Sequence, residues 1–419
     1  AKTRAAMVKD SGSRLLFVSA VYEREMRALS GEMGLAGSQV LPLGDDFLEE
    51  LMQGMSGAPL PAEFSADQGF NLIYSSVTTG IPKGILQSRC YRASDSGSFR
   101  SRFGISMESR TIVATPLCSN TTLFFLAAVL SAGGTTLLMD KFDAGAWLEL
   151  AGRWRPTDVV LVPVQYRRLL DHPAFDRTDL SSFRNKFSTS APMPASTKAE
   201  ILKRWPAGGF TEFYGMTEGG VGTVLRAHER PDKLDTVGVA NPGVEMLVID
   251  EAGRVLPQGE VGEIVGRSNS MMSGYHGHGK ETVEASWLDA EGRRYQRSGD
   301  NGWFDEEGFL HLLDRKKDVI ISGGFNVYAI DLENVLLQHP DVVDAAVIAA
   351  PSREWGETPV AYAVLRGSAS TEAVRRWANE RLGKSQRISQ VIAAEDLPRS
   401  PIGKVLKREL RERFAKSMG

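Results

Sequence analysis

Apolar and polar positions alternate along the first two thirds of the chain in two distinct periods. Leu15-Leu16-Phe17-Val18 is a short apolar run after the turn Asp10-Ser11-Gly12, as a buried strand would be. Strand-like runs at Thr111–Thr115, Thr135–Met139 and Asp158–Val162 are separated by helix-like segments at Leu123–Ser131 and Ala144–Arg153. Strands alternating with helices predict an α/β body around a mostly parallel sheet. From about Val237 the texture changes to short alternating strands, such as Glu245–Asp250 and Gly262–Gly266, with Gly/Pro turns between them. That pattern predicts an antiparallel β subdomain over about 237–316. A charged knot, Asp314-Arg315-Lys316-Lys317-Asp318, precedes an apolar strand at Val319–Ser322. Beyond it come a helix over Ile330–Gln338, strands over Val342–Ala349 and Val360–Leu365, and a helix over Thr371–Leu382. The expected organisation is a large domain, 1–316, and a small α+β domain, 317–419.

Composition narrows the possibilities. The 419 residues suffice for more than one domain, and 42% hydrophobic with 24% charged residues is ordinary for a folded soluble chain. The formal net charge of -3 gives no global attraction to nucleic acid. The longest apolar stretch, Leu123 to Leu130, is too short to span a bilayer, so no membrane span is expected. Two cysteines, Cys90 and Cys118, form no CxxC pair, which argues against a zinc site or disulfide framework and for a reducing cytoplasm.

Candidate chemistry begins at Ser75-Ser76-Val77-Thr78-Thr79-Gly80-Ile81-Pro82-Lys83-Gly84, after the apolar strand Phe70–Tyr74. Hydroxyls, free backbone N–H groups and one ammonium suit a polyphosphate. The spacing is not that of a Walker A loop. The order of residues resembles the signature loop of the acyl-adenylate-forming superfamily, which comprises acyl-CoA synthetases, peptide-synthetase adenylation domains and luciferases. The resemblance is nearest to acyl-CoA ligases. One position departs: Val77 stands where that loop has glycine, and a β-branched residue resists positive φ.

Further segments resemble the family's motifs in the family's order. Ser190-Ala191-Pro192 resembles the stretch flanking the adenine. Glu212-Phe213-Tyr214-Gly215-Met216-Thr217-Glu218 resembles its Tyr-Gly-x-Thr-Glu signature. The resemblance implies Tyr214 near the adenine, Thr217 on phosphate and Glu218 on Mg²⁺. Arg297-Ser298-Gly299-Asp300 resembles the Thr-Gly-Asp motif and makes Asp300 the ribose ligand, a role that suits an acceptor-only carboxylate. Arg315 corresponds to an arginine reaching ribose or phosphate, and Lys317 to the hinge residue between the domains. Gly323-Gly324, before Phe325-Asn326-Val327-Tyr328, resembles the glycine pair that passes the pantetheine arm of coenzyme A. The same pair is equally compatible with a hairpin turn. Pro398 to Lys404 resembles the loop whose lysine, here Lys404, bridges the substrate carboxylate and the α-phosphate.

The implied activity is ATP-dependent formation of an acyl-adenylate from an aryl or fatty acid, with Mg²⁺, followed by transfer to coenzyme A. The alternatives are loading of a carrier protein, luciferase-like oxygenation, and a degenerate nucleotide binder with little turnover. Two departures carry expectations. Relatives have more chain before the phosphate loop, so the N-terminal part of the large domain is expected to be missing, with either a homo-oligomeric interface or reduced stability as the result. Cys118-Ser119 replaces the family's aromatic-His pair at the border of the acyl pocket.

Overall fold

The computed structural model describes residues 2–418 except 45, 59–62, 76–81, 316–317, 368 and 401–402. The chain forms two compact units, Ala1–Asp95 with Asn269–Ser286, and Ser96–Ser268 with Trp287–Gly419.

In the first unit, β1 (Leu16–Ser19) and β2 (Val40–Leu43) pair in parallel, with helices α1 (Lys2–Asp10), α2 (Ala20–Ala28), α3 (Ser30–Met33) and α4 (Phe47–Met52). A small core of Val18, Met26, Met33 and Val40 lies between them. β3 (Gly69–Ser75) and β4 (Lys83–Ser88) are antiparallel, and β14 (Gly274–Tyr275), followed by α10 (Gly279–Glu284), pairs with β4. Residues 269–286 thus leave the antiparallel subdomain expected over 237–316 and complete a sheet with residues nearly 200 positions earlier. A strand of two residues carries no periodic signal, so the sequence pattern does not reveal this excursion. Helix α5 (Arg89–Phe103) follows β4. Its Ser, Asp and Gly content, weak in helix propensity, hides it from a pattern reading.

The second unit is built on a seven-stranded sheet in the order β11-β10-β9-β8-β7-β5-β6. Its strands are β5 (Arg110–Val113), β6 (Thr135–Leu138), β7 (Asp158–Leu161), β8 (Asn185–Ser188), β9 (Gly209–Gly215), β10 (Gly222–Arg226) and β11 (Val239–Ala240). β5 to β9 run parallel, whereas β10 and β11 return antiparallel. The connecting helices are α6 (Asn120–Ser131), α7 (Ala144–Trp154), α8 (Pro163–Leu170) and α9 (Ala195–Arg204). One core contains Trp147, Tyr166, Trp205 and Phe210; another contains Phe99, Phe125, Val160 and Phe187. Alternate residues of β8 serve different surroundings, with Phe187 in the second core and Lys186 bonded to the carbonyls after α9. That is the two-residue period of a strand covered on both faces.

A five-stranded antiparallel sheet contains β12 (Glu245–Ile249), β13 (Gly262–Arg267), β15 (Ser286–Leu288), β16 (Arg294–Phe304) and β17 (Leu310–Arg315). The C-terminal sheet contains β18 (Ile320–Ser322), β19 (Phe325–Val327), β20 (Val342–Ser352), β21 (Gly356–Leu365) and β22 (Gln390–Ala393). It packs with α11 (Ala329–Leu336), α12 (Thr371–Asn379) and α13 (Lys407–Met418) around cores on Val347 and Ile348. β20 and β21 form one long hairpin, longer than the pattern predicts, because the ladder continues past Pro351 and Pro359. The fold is therefore α/β, with a large N-terminal and a small C-terminal domain.

Candidate active site

In the first unit the phosphate-loop segment joins two antiparallel strands. Ser75, the last residue of β3, and Lys83, the first of β4, are register partners. The loop is thus the connection of a hairpin, and Lys83 stands where the chain re-enters the sheet. The Lys83 ammonium lies 5.2 Å from the centre of the Tyr275 ring, a cation–π distance. Ser76, Val77, Thr78, Thr79 and Gly80 lie outside the described residues.

In the second unit three of the expected nucleotide residues meet. The Tyr214 hydroxyl donates to Asp300 Oδ2 at 2.8 Å, and Arg315 Nε lies 3.4 Å from Asp300 Oδ1. Asp300 and Arg315 are cross-strand partners on β16 and β17, and the ladder is irregular between Asp300 and Gly302. Gly299 supplies a φ of 70°, and the Ser298 hydroxyl accepts from the Asp300 N–H at 3.0 Å, so the carboxylate is held by its own turn. Burial, and then the Asp300 charge, hold the Tyr214 phenol far above its ordinary pKa. It stays a donor at any working pH.

The carboxyl ends of the parallel strands gather the other groups. After β8, Ser190 adopts φ 81°, a left-handed conformation that costs a non-glycine residue about 1–3 kcal/mol. Its hydroxyl lies 2.5 Å from that of Thr121 on α6, so the adenine-flanking segment of the family meets the segment after Cys118. Ala191 and Pro192 follow in the same loop. At the end of β9, Gly215 pairs with Gly222, and Thr217 and Glu218 occupy the next turn, closed by Gly219 N–H to the Met216 carbonyl at 3.0 Å. Glu212 and Phe213, consecutive on β9, point to opposite faces of the sheet. Glu212 is buried in an ion pair with Lys198 and accepts from the Met193 N–H, while Phe213 packs 5.8 Å from Phe187. Burial raises the Glu212 pKa and the Lys198 charge opposes that rise.

The Lys404 loop reaches the same edge. Gly403, φ 78°, is followed by Lys404, whose carbonyl accepts from the Ser400 N–H at 2.8 Å. A Cβ on Gly403 would stand 2.9 Å from Val164 and 3.1 Å from Val162, the residues just after β7. Only glycine allows that approach. Three residues beyond Lys404, Lys407 is buried between Glu333 at 2.9 Å and Asp314 at 3.5 Å. Burial pushes the Asp314 carboxyl up to about 6, and Lys407 acts against that rise. Sequence reading missed Lys407 and Asp314 as loop anchors. The available signal was an acid in the charged knot and a basic residue opening the last helix.

Gly323 and Gly324 form the β18–β19 turn, with φ 58° and 82°. A Cβ on Gly323 would come 2.7 Å from the Trp355 ring. The hairpin accounts for both glycines, which is the alternative the sequence left open. Lys317 lies outside the described residues. Among the described residues no group of three or more His, Cys, Asp or Glu side chains converges. Glu218 offers a hard oxygen in a turn, which fits a Mg²⁺ that takes one carboxylate and completes its shell with phosphates and water. No helix among the described residues is long and apolar enough to cross a membrane.

A sheet whose carboxyl edge gathers the functional loops, next to a small C-terminal domain bearing a lysine loop, defines an adenylate-forming enzyme. The family described as "AMP-binding enzyme" matches residues 1–276, and its C-terminal domain matches residues 331–404. The chain belongs to this family of AMP-binding enzymes, which form an acyl-adenylate and then a coenzyme A thioester. It is 31% identical to a feruloyl-CoA synthase of Amycolatopsis sp, over 97% of this chain and 80% of that protein. It is 30% identical to a long-chain-fatty-acid–CoA ligase of Mycobacterium tuberculosis, over 98% of this chain and 80% of the other. Among solved structures, ATP-bound MatB from Rhodopseudomonas palustris matches with a TM-score of 0.89 at 30% identity, over 98% of this chain and 81% of that one. The apo form of the same protein matches with a TM-score of 0.75 at 31% identity, again over 98% and 81%.

Proposed function

We propose that this chain activates a carboxylic acid with ATP and passes the acyl group to coenzyme A. In the first half-reaction a carboxylate oxygen attacks the α-phosphorus, the bond to the β-phosphate breaks, and pyrophosphate leaves. Two anions must meet, so positioning and charge neutralisation dominate. On this reading Lys404 bridges the substrate carboxylate and the α-phosphate, and Asp300 accepts from the ribose hydroxyls beside Arg315. Lys83, with Thr78 and Thr79, steadies the departing pyrophosphate, and Thr217 meets phosphate. Glu218 would hold Mg²⁺, which when bound neutralises phosphate charge. The observation carrying the proposal is the packing of Gly403 on Val162 and Val164, at the sheet edge that also bears Ser190 and Tyr214.

In the second half-reaction the thiol sulfur attacks the mixed anhydride carbonyl, AMP leaves, and the thiol proton passes to solvent. This step requires the Lys404 loop to withdraw, by rotation of a domain 317–419 against 1–316 about Lys317. The buried Lys407–Asp314 contact joins α13 to β17 across that boundary, so the rotation would have to break it. The names of the relatives favour an aryl or fatty acid, and the free Cys90 and Cys118 suit the cytoplasm. A panel of aromatic and aliphatic acids, assayed for AMP release with and without coenzyme A, tests the proposal. Acid-dependent AMP release that coenzyme A stimulates is expected; absence of acid-dependent pyrophosphate release overturns it.

A further inference from the structure

The carboxyl ends of β8 and β9 lead into the reaction site. Their amino ends carry a second cluster that the reaction does not use. There the end of α5, the starts of β8 and β9, and the end of β10 line a cleft of about 210 Å³. Its walls include Arg102, Arg184, Arg226 and His228, with Phe103 and Asn185 between them. The Arg102 and Arg226 guanidinium groups lie over the same Phe103 ring, 5.4 and 5.5 Å from its centre. Gly209 opens β9 beside the His228 ring, where a Cβ would come within 2.7 Å of it.

The charges in this cleft are not balanced. Arg184 is 3.3 Å from the buried Asp158, and Arg226 is 3.0 Å from the exposed Glu229. Arg102 instead donates to the neutral amide oxygen of Asn241 at 3.0 Å, and among the described residues no carboxylate pairs with it. Burial, followed by the neighbouring Arg226 charge, lowers its pKa from the usual arginine range. A partly desolvated cation beside a like charge is unfavourable until an anion joins it.

We propose that this cleft is a binding site for a small phosphate-class oxyanion, separate from the nucleotide site. Guanidinium forks match phosphate oxygens in a planar, two-bonded geometry, and both Arg102 and Arg226 line this cleft. The volume lies below the roughly 300–1,000 Å³ of pockets for drug-sized ligands, so it suits one phosphate group and not a whole nucleotide. The phosphate is either the free ion or the terminal group of a larger molecule that extends into solvent.

Calorimetric titration of the full chain with inorganic phosphate, at constant ionic strength set by chloride, tests this. Saturable binding is expected, weakened about tenfold or more by Arg102→Gln and by Arg226→Gln, and kept by Lys83→Ala, which removes a proposed phosphate ligand of the nucleotide site. Phosphate should also raise the unfolding temperature of the unmodified chain and not that of Arg102→Gln. Without phosphate that variant should unfold no earlier than the unmodified chain, since it loses an unmatched charge. Absence of saturable binding, equal binding by Arg102→Gln, or loss of binding in Lys83→Ala each overturns the proposal. Glycerol phosphate binding as tightly as inorganic phosphate identifies a terminal phosphate group as the ligand; binding of inorganic phosphate alone identifies the free ion.

Discussion

The Tyr214 hydroxyl donates to Asp300 Oδ2 across 2.8 Å, linking β9 of the parallel-rich sheet to β16 of the antiparallel one. The two residues are 86 positions apart, and Arg315 approaches the other carboxylate oxygen at 3.4 Å. Asp300→Ala removes the shared acceptor. AMP affinity should fall by about 1.5–3 kcal/mol, the range for hydrogen bonds to a charged group. Tyr214→Phe keeps the carboxylate and should lose less. Calorimetric titration with AMP checks both, and unchanged affinity in Asp300→Ala would remove it from the ribose role.

Lys404→Ala should reduce acid-dependent ATP–pyrophosphate exchange about 100-fold or more. Thioester formation from a preformed acyl-adenylate should be largely spared. Gly403→Ala should impair exchange in the same direction, because its Cβ meets Val164 at 2.9 Å and its φ is 78°. Exchange that survives Lys404→Ala would show that another group bridges the anions.

Lys317→Pro should do the reverse. A proline restricts the backbone freedom that a hinge needs. Thioesterification should fall more than exchange in stopped-time assays of the two half-reactions. Equal losses would refute the hinge.

Lys198→Met leaves the Glu212 carboxylate buried beside Met193 without its cation. Breaking a buried pair from one side costs about 3–5 kcal/mol. Lys198→Met/Glu212→Leu should recover much of the loss. Denaturant unfolding of the three proteins reads the difference, and a single variant as stable as the unmodified chain would contradict the pairing.

Lys186 donates to the carbonyls of Trp205 at 2.8 Å and Gly208 at 3.1 Å, and burial lowers its pKa to about 7. An unfolded lysine titrates near about 10.4. Between these values folding releases a proton, so this residue adds stability as pH rises from 7 toward 10. The contribution is complete above the unfolded pKa and lost as pH falls through the folded one. Unfolding free energies measured across that range should rise with pH for the unmodified chain relative to Lys186→Met, by up to about 1.4 kcal/mol per pH unit. Parallel curves would show that Lys186 keeps its proton throughout.

Much of the fold was legible in local pattern. The runs at Thr135–Met139 and Asp158–Val162 became β6 and β7, and the segment at Ala144–Arg153 became α7. Each has a period that its own residues impose: two for a strand and near 3.6 for a helix. The motifs were legible for a related reason. Asp300, Tyr214 and Lys404 each sit beside glycines or hydroxyls whose local conformations suit a site.

The sequence by itself therefore determined most of the elements and the class of chemistry, and it named the motif residues proposed to carry it. Tertiary structure alone decided which of them meet. The Asp300–Arg315 register depends on an irregular ladder between β16 and β17, and the seat of Lys404 depends on Gly403 closing against Val162 and Val164. The buried Lys407–Asp314 contact and the cleft at Arg102 likewise join residues distant in the chain. Local periodicity fixes where a side chain points relative to its own strand or helix. Contacts across 86 or 93 positions, as in Tyr214–Asp300 or Asp318–Arg411, are selected only when the elements pack and exclude water together.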